Sequence, residues 1–535
     1  MNPCEWSVVI VGGGPVGMTL ANLLGVYGVR TLVLESEGAL FDRPRAVGTD
    51  FECLRAWQAA GLHEKLLGDM IPSGRDGMGL VYLDRAGRRF LEVRPNGREY
   101  GFAVGYGFIQ PLVDRALLEG AGRFESVEVR FGHRVESAAQ DEQGVTVSGF
   151  STAGEPFSIR GHYVVACDGG RSAIRRGLGI RMVGSTYGRR WLVLDTREPD
   201  VPGRNLSDVQ IWCDPERPAV TVPRLHGHRR WEFLERPGET AEELLEPATI
   251  RALLGQRADP GDVEVIRKLV YRFQARLAER FRQGRILLAG DAAHVTPPFA
   301  GQGLAIGIRD AFNLGWKLAL VSAGKASPGL LDTYPEERRP NAASSIALAV
   351  WLGRIMMPRT PLRAALVQGV VRTLSRSRRV REFMMEGGPR PAPRYRSGYF
   401  VRSRRPRNVA GRMAHQPQVR RPNGERILLD ECLGAGFAVV GFGSDPRAAL
   451  SAETLRRWSD LGTRFVTVVP AERARGVPDA LEDVDGGFAR WLGRTDERLL
   501  VIRPDRFVAA DCRRAEAGRV LGRLDERLRA RPESS

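Results

Sequence analysis

The stretch Ser7-Val-Val-Ile-Val-Gly-Gly-Gly-Pro-Val-Gly17 passes from a short β-rich segment directly into a glycine-rich turn. An apolar helical pattern follows at Met18–Leu24, and Thr31–Glu35 predicts a second strand that ends in an acid. Strand, GxGxxG turn, helix and strand, with an acid about 20 residues beyond the turn, form the fingerprint of a dinucleotide-binding unit. The sequence therefore predicts such a unit at the start of the chain.

Each position of the fingerprint has a physical role. Gly12 allows the tight turn, Gly14 lets the backbone approach a pyrophosphate, and Gly17 lets the helix pack closely on the strand. The helix N-terminus supplies partial positive charge and free N–H groups. Glu35 is placed to accept hydrogen bonds from the hydroxyls of a ribose. This motif alone does not distinguish NAD from FAD.

Two further strand-to-turn motifs favour FAD. The apolar run Val164–Cys167 leads into Asp168-Gly169, and Arg285–Ala289 leads into Gly290-Asp291, with a helical pattern beginning near Gly301. A carboxylate such as Asp291 at a strand end accepts hydrogen bonds from a polyol, and NAD has no ribityl chain. The alternative for Asp291 is a helix N-cap. The positive end of the later helix would stabilise an anionic reduced flavin.

The three motifs in this order resemble the class A flavoprotein monooxygenases, the aromatic hydroxylase family. Within that family the pattern is most similar to the 3-(3-hydroxyphenyl)propionate hydroxylases. The matching stretches are Arg43–Asp50, Phe108–Pro111, Cys213–Pro218, Pro237–Thr240, Gly290–His294, Asp310–Leu314 and Arg503–Ala509.

The resemblance implies an α/β fold in which a Rossmann-like FAD-binding domain contains an inserted α+β substrate domain and precedes a C-terminal thioredoxin-like domain. The implied boundaries are an FAD-binding domain at 1–180 with part of the substrate domain near 75–110, a substrate-binding β-sheet at 181–268, completion of the FAD-binding domain with a helical region at 269–386, a linker at 387–410, and a thioredoxin-like domain without CxxC at 411–535.

The resemblance also implies the cofactor contacts and the chemistry. The expected FAD-binding residues are Gly12, Gly14, Gly17, Glu35, Arg45, Gln110, Asp168, Gly169, Gly290, Asp291, Pro298, Gly301, Gln302 and Gly303. NADH or NADPH would reduce FAD, and O₂ would then form a flavin C4a-hydroperoxide that hydroxylates a phenol ortho to its hydroxyl. The sequence departs from the family pattern at Leu304-Ala305, where relatives often carry a polar residue such as Asn.

Asp50 and Tyr271 are the candidate catalytic residues, because by position they resemble the aspartate and the tyrosine that phenol hydroxylases place near the substrate. Hydrogen bonding or deprotonation of a phenol raises the nucleophilicity of its ortho carbon. The alternatives are that Asp50 caps a helix at Phe51–Ala59 and that Tyr271 is a strand-end core aromatic. His294 follows the third motif, and without companion ligands at metal spacing it is interpreted as structural.

Composition limits the remaining functions. The 43% apolar and 7% aromatic residues predict a folded chain, and six scattered cysteines without CxxC favour a reducing, cytoplasmic location. Trp6–Val29 is 24 residues without a charge, long enough to suggest a membrane span. Its six glycines and Pro15 argue against a helix in lipid, so no membrane association is expected.

The distribution of charge suggests an alternative function. Lys and Arg total 80 against 63 Asp and Glu, a net charge of +17, and the stretch Arg376–Arg407 holds eleven arginines but only two glutamates. A nucleic-acid-binding flavoprotein would explain this stretch, but no recognition module is present, so a solvated face or a homodimer contact is expected instead.

Within the same hydroxylase chemistry, the alternative is a tailoring hydroxylase of a larger polycyclic or antibiotic aromatic, for which Leu304-Ala305 would provide a wider, less polar floor.

Overall fold

The computed structural model describes residues 5–42, 45–74, 77–198, 208–257, 263–358, 360–385, 392–403, 405, 407–472, 477–493 and 498–530. Its α-helices are α1 Pro15–Val26, α2 Phe51–Ala59, α3 His63–Leu67, α4 Gln110–Ala121, α5 Ala173–Gly177, α6 Ala241–Leu244, α7 Pro247–Gly255, α8 Gly303–Ser322, α9 Thr333–Met356, α10 Pro361–Leu374, α11 Arg378–Met385, α12 Asp430–Leu433, α13 Ala452–Asp460, α14 Gly487–Leu492 and α15 Ala517–Arg529.

The strands follow the same order. They are β1 Trp6–Val11, β2 Thr31–Leu34, β3 Gly48–Asp50, β4 Met70–Pro72, β5 Leu80–Leu83, β6 Arg89–Val93, β7 Gly105–Phe108, β8 Val127–Arg130, β9 His133–Gln140, β10 Val145–Ser151, β11 Pro156–Ala166, β12 Met182–Arg197, β13 Val209–Trp212, β14 Ala219–Pro223, β15 His228–Leu234, β16 Glu264–Ala278, β17 Arg282–Gln283, β18 Ile286–Leu288, β19 His294–Val295, β20 Gln418–Arg420, β21 Arg426–Leu428, β22 Ala438–Phe442, β23 Arg464–Pro470, β24 Leu481–Asp483, β25 Arg498–Ile502 and β26 Val508–Arg513.

The first sheet is the predicted nucleotide-binding layer. Its central order is β17-β18-β11-β1-β2-β8, and the pairings among β18, β11, β1, β2 and β8 are parallel. Strands buried on both faces read as continuous apolar runs, and Val8, Val9 and Ile10 are fully buried accordingly. The strand and the helix that follows divide the uncharged stretch Trp6–Val29 between them. Among the described residues, no helix is both long and apolar enough to cross a membrane.

The second sheet has the order β19-β16-β12-β15-β14-β13-β5-β6. One face packs against α7, with Leu192 and Trp231 buried in the shared cluster. The other face carries Trp191 and Phe273, which cluster with Phe299 from the turn before α8. This sheet therefore lies against the nucleotide-binding layer at the start of α8.

The C-terminal unit has a seven-stranded sheet in the order β21-β20-β24-β23-β22-β25-β26, with α15 and α12 contributing to the separate apolar clusters of its two faces. Its thioredoxin-like character stays a prediction. Cys432 and Cys512 are both free thiols.

The predicted domain boundaries also stay predictions. Residues 386–391, at the start of the predicted linker, lie outside the described residues. In the part that is described, Tyr395, Tyr399 and Phe400 are buried.

Candidate cofactor and substrate site

The first glycine turn is shaped by close backbone contacts. Gly12 has a φ of +110°, and a Cβ there would lie 2.4 Å from the Cys167 carbonyl oxygen. A Cβ at Gly17 would lie 2.1 Å from the Gly12 carbonyl oxygen. By contrast, apart from its chain neighbours, none of the described residues comes within 4 Å of the position that a Cβ would take at Gly14, the N-cap of α1, which has no side-chain cap. Space and uncapped amides at a helix N-terminus suit a pyrophosphate.

Glu35 is held beside this turn at the end of β2. Its Oε2 accepts a hydrogen bond from the Gly13 N–H at 2.7 Å, and its Oε1 accepts one from the Glu37 N–H at 2.9 Å. The carboxylate is half-buried and fixed in orientation. This placement is compatible with the predicted contact to a ribose.

Asp168 follows β11 at the second turn. Its Oδ2 accepts a hydrogen bond from the Ala173 N–H at 2.9 Å, and the adjacent Gly169 has a φ of +79°. Its Oδ1 is buried and has no hydrogen-bond partner among the described residues, and burial raises the pKa of the carboxyl. An unsatisfied buried carboxylate oxygen is unfavourable unless a ligand or water donates to it. This oxygen is therefore a candidate contact for a bound group.

The third turn places Asp291 at the end of β18. Gly290 has a φ of +62°, and the turn Gly290–Ala292 is a short 3₁₀ helix. The Asp291 side chain is open to solvent within a cleft whose walls crowd it, and this desolvation raises its pKa. An exposed carboxylate deep in a cleft is available to a polyol.

A buried network holds the third turn from behind. The Gly290 N–H donates to Asp310 Oδ2 at 3.1 Å, and His294 Nε2 lies 2.6 Å from the same oxygen. Arg338 Nε donates to Asp310 Oδ1 at 2.8 Å. His294 is fully enclosed in this network, as its structural interpretation predicts.

Helix α8 begins at Gly303 directly after the turn Pro298–Ala300. Gly301 has a φ of +61°, and the N-cap Gln302 makes no side-chain cap. The N-terminus of this 20-residue helix is thus open to the cleft. Its partial positive charge would stabilise an anion there.

Asp50 is buried next to the start of this helix. Its Oδ1 accepts hydrogen bonds from the Glu52 and Cys53 N–H groups at 3.0 and 3.2 Å, which caps α2. Its Oδ2 pairs with Arg309, which also donates to Gln302 Oε1 at 3.1 Å. The helix-capping alternative therefore describes this side chain, and its catalytic role stays a prediction.

Tyr271 differs from a core aromatic, because its side chain is 36% exposed. It lies on β16, opposite Trp191 of β12, and its ring centroid is 5.0 Å from that of Phe273. Surrounding atoms raise its pKa strongly, with a further contribution from Glu232. The phenol therefore stays protonated at neutral pH and can donate a hydrogen bond.

Aromatic rings join the second sheet to the start of α8. Trp191 and Phe273 stack at 5.0 Å, and Phe299 lies edge-on to both, at 6.0 and 5.3 Å. Such a cluster excludes water from one end of the cleft. The structure thus brings Tyr271 into the same region as the predicted ring-edge residues Pro298–Gly303.

Gln110 lies behind the segment that carries Arg45. Its Oε1 accepts hydrogen bonds from the Arg45 and Ala46 N–H groups at 3.1 and 2.6 Å, and its Nε2 donates to Asp114 Oδ2 at 3.1 Å. Arg230 of the second sheet donates to the Arg45 carbonyl oxygen. Gln110 therefore positions this segment, and the residues just before it, 43 and 44, lie outside the described ones.

Sequence reasoning missed the supporting residues Arg309, Asp310 and Arg338. A signal was available on α8, where polar residues recur at Arg309, Asp310, Asn313 and Lys317 within an otherwise apolar helix. This helical spacing places them on neighbouring faces, and all four are buried. Charges that are fully buried are paired, so such a pattern predicts partners on other elements.

The donor set fits FAD. An open glycine turn, a fixed acid at the end of β2, an unpartnered carboxylate oxygen, an exposed carboxylate and an open helix N-terminus match a pyrophosphate, a ribose, a polyol and an anionic ring. Among the described residues, no group of three or more His, Cys, Asp or Glu is arranged to hold a metal ion.

Comparison with known proteins identifies the class. Residues 5–349 match the family described as FAD binding domain, and residues 411–527 match the HcaD C-terminal domain. The chain belongs to the FAD-binding-domain family, and it is an FAD-dependent monooxygenase of the aromatic hydroxylase class.

Individual relatives narrow the comparison. The chain is 40% identical over 529 residues to a 3-(3-hydroxy-phenyl)propionate/3-hydroxycinnamic acid hydroxylase of Klebsiella pneumoniae (strain 342), covering 97% of this chain and 94% of that protein. A protein of the same name from Escherichia coli (strain 55989 / EAEC) is 39% identical over 525 residues, with the same coverage.

Solved structures agree on the fold. A ternary complex of aklavinone-11 hydroxylase with FAD and aklavinone has a TM-score of 0.80 at 25% identity, covering 99% of each chain. The flavin-dependent monooxygenase PieE in complex with FAD and substrate has a TM-score of 0.82 at 22% identity, covering 98% of this chain and 100% of that one.

Proposed function

We propose that the protein hydroxylates a phenol resembling 3-(3-hydroxyphenyl)propionate at the carbon ortho to its hydroxyl, with NADH or NADPH and O₂ as co-substrates. The observation that carries this proposal is the 40% identity to a hydroxylase of that compound across 97% of the chain. When bound, FAD supplies the redox chemistry: it accepts hydride from the nicotinamide and activates O₂ for transfer to the ring.

The chain's own residues position the reactants. The proposed FAD contacts are Gly12, Gly14, Gly17, Glu35, Arg45, Gln110, Asp168, Gly169, Gly290, Asp291, Pro298, Gly301, Gln302 and Gly303. Trp191, Phe273 and Phe299 would exclude water from the reacting centre, which limits loss of the activated oxygen as peroxide.

Tyr271 and Asp50 have separate proposed roles. The protonated Tyr271 hydroxyl would orient the substrate phenol by a hydrogen bond. Asp50 would act indirectly. It pairs with Arg309, which donates a hydrogen bond to Gln302 at the start of α8. This arrangement makes Asp50 a positioning residue for the start of α8.

The test is the ratio of hydroxylated product to hydrogen peroxide in the FAD-loaded enzyme given 3-(3-hydroxyphenyl)propionate. Wild type should couple most NADH oxidation to product, and Tyr271→Phe and Asp50→Asn should each lower that fraction, because a mispositioned substrate lets the oxygen leave as peroxide.

Tyr82→Phe is the matched control, because Tyr82 lies on β5 of the same sheet and makes a ring contact with Phe90 at 6.2 Å. This variant should couple as wild type does. Unchanged coupling in both Tyr271→Phe and Asp50→Asn would discard the two roles. No substrate-stimulated NADH oxidation in wild type would discard the substrate.

The polycyclic alternative depends on Leu304 and Ala305 at the start of α8. Ala305 is fully buried in the core of the nucleotide-binding layer, and Leu304 packs against the same core. Ala305 is therefore not available to a substrate, and the polycyclic alternative stays a prediction. A panel of larger aromatics in the same assay separates the two substrates.

The proposal also includes a cytoplasmic location, which the free cysteines support, since Cys53, Cys167, Cys213, Cys432 and Cys512 form no disulfide. Neither nucleic acid nor membrane is part of the proposed activity. The homodimer stays a prediction, and sedimentation velocity of the holoenzyme measures it.

A further inference from the structure

A pocket of about 530 Å³ opens at the surface where the described part of the predicted linker enters the C-terminal unit. Its lining includes six arginines. They are Arg394, Arg396, Arg402, Arg405, Arg407 and Arg412.

The charge in this pocket, which we call the arginine pocket, is mostly uncompensated. Arg405 pairs with the Glu516 carboxylate. Arg402 donates to the Arg396 carbonyl oxygen and lies over the Phe400 ring at 5.8 Å, and neither contact cancels its charge.

The other four arginines are exposed. No ion pair joins any of them to a carboxylate in the part of the chain that the structure describes. Among the described residues, Arg405 is the only one of the six arginines that pairs with a carboxylate, and like charges held together in one concavity repel each other.

The high arginine content of the chain does not by itself explain this imbalance. At buried positions the same chain supplies carboxylates: Arg55 pairs with Asp430 at 2.8 Å, and Arg503 pairs with Glu337 at 2.6 Å. Concentrated, accessible and unpaired guanidinium groups are the arrangement that recognises anions.

The arginine pocket has a preformed wall. Tyr395 stacks on Phe507 with ring centroids 4.1 Å apart, and its N–H donates to the Gly411 carbonyl oxygen at 2.7 Å. Asn408 Nδ2 donates to the Asp511 carbonyl oxygen at 3.1 Å. A ligand would therefore meet a preformed surface along this wall.

The arginine pocket is separate from the cofactor cleft. Tyr395 Oη in its wall lies 3.4 Å from Asn313 Nδ2, on α8. Asn313 is ten residues beyond Gly303, so the helix rise places it about 15 Å along α8 from the open N-terminus.

We propose that the arginine pocket binds a small polyphosphate, of the chemical class of a nucleoside di- or triphosphate. The guanidinium fork matches phosphate oxygens in a bidentate manner. The pocket volume falls in the range of small-molecule sites, roughly 300–1,000 Å³, whereas a duplex needs an extended track of phosphate contacts.

The test is calorimetric titration of the FAD-loaded protein with inorganic pyrophosphate and with ATP at low salt, the bound FAD keeping its own site filled. Saturable binding at one site is expected. The double variant Arg394→Gln/Arg396→Gln should weaken it at least about tenfold, with FAD content unchanged.

The double variant Arg426→Gln/Arg456→Gln is the matched control. It removes two exposed arginines from other surfaces of the same unit and should bind as wild type does. The result does not depend on the hydroxylase substrate, so it stands apart from failure of the proposed function.

Three outcomes would overturn the proposal. They are no saturable binding to wild type, an equal loss in both double variants, and tighter binding of a short DNA duplex that displaces pyrophosphate, which would assign these arginines to nucleic acid.

Discussion

The two halves of helix α8 differ in whether their polar groups have hydrogen-bond partners. At its start, Gln302 and Gly303 leave the helix N-terminus uncapped beside an exposed Asp291. Further along, Asn313 and Lys317 are fully buried, and each bonds a carboxylate. The start of α8 is open at the proposed cofactor site, whereas these two polar side chains further along the helix are satisfied.

The buried half of α8 ties the C-terminal unit to the nucleotide-binding layer. Glu337 accepts hydrogen bonds from Arg503 Nη1 and Nη2 at 2.6 and 2.8 Å and from Lys317 Nζ at 2.7 Å. Asp505 accepts one from Arg503 Nε at 2.9 Å. Side chains that are at most 1% exposed carry this network, which we call the junction network.

Replacing Arg503 should produce the largest effect on stability. Arg503→Met leaves Glu337 and Asp505 buried with fewer partners, and breaking a buried pair in this way destabilises by about 3–5 kcal/mol. The measurement is the urea unfolding midpoint, with the exposed Arg523→Met as the control, expected within about 0.5 kcal/mol of wild type. A loss below about 1 kcal/mol for Arg503→Met would mean that the junction network is not what joins the two units.

The junction network should also make the free energy of unfolding depend on pH in the acid range. Arg503 and Lys317 outweigh burial and lower the pKa of Glu337 to about 2. A folded-state pKa below the unfolded value contributes stability that is present above the unfolded pKa and is lost as the pH falls through the folded one, at up to about 3 kcal/mol for this shift.

We therefore expect the stability difference between wild type and Glu337→Gln to shrink as the pH falls from about 4.5 to 2. Urea unfolding at a series of pH values measures it. A pH-independent difference would contradict the assigned charge state.

Asp114, which accepts a hydrogen bond from Gln110, should make the free energy of unfolding depend on pH with the opposite sign. Burial raises its pKa to about 6, while Gln110 partly offsets this. A raised folded-state pKa contributes stability that is present below the unfolded value and is lost as the pH rises through 6.

Asp114→Asn should remove this loss, so that the variant gains up to about 3 kcal/mol of stability relative to wild type between acid and neutral pH. Parallel unfolding curves for both proteins from acid to neutral pH would show that Asp114 does not titrate in this range.

The sequence predicted those parts of the site that depend on local backbone geometry. The turns at Gly12–Gly17 and Gly290–Asp291 could be inferred because a strand end, a glycine and an acid are adjacent in the chain. The residues that support the turn at Gly290–Asp291 could not be inferred, since Asp310 and Arg338 reach it from α8 and α9 only in the folded state. That Asp50 caps the helix Phe51–Ala59 could be inferred from its position in the sequence, as the alternative to a catalytic role.

Other residues required the three-dimensional structure for a different reason. Tyr271 alternates along β16 like a core residue, and only its place near the edge of the sheet leaves it exposed. The arginines between 376 and 407 predicted a solvated face or a homodimer contact, because a one-dimensional charge count cannot show that some of them line a concavity. Interactions between residues far apart in sequence carry this information.

The most direct test of the account is titration of FAD into apoprotein, followed by flavin fluorescence, for wild type, Asp291→Ala and the exposed control Asp460→Ala. Wild type and the control should bind one FAD per chain, while Asp291→Ala should bind at least about tenfold more weakly with an unchanged urea midpoint, because it loses charge-assisted hydrogen bonds to the polyol. Equal FAD affinity in Asp291→Ala and wild type, or a wild-type apoprotein that takes up no FAD, would contradict the assignment of the open half of α8 as the cofactor cleft.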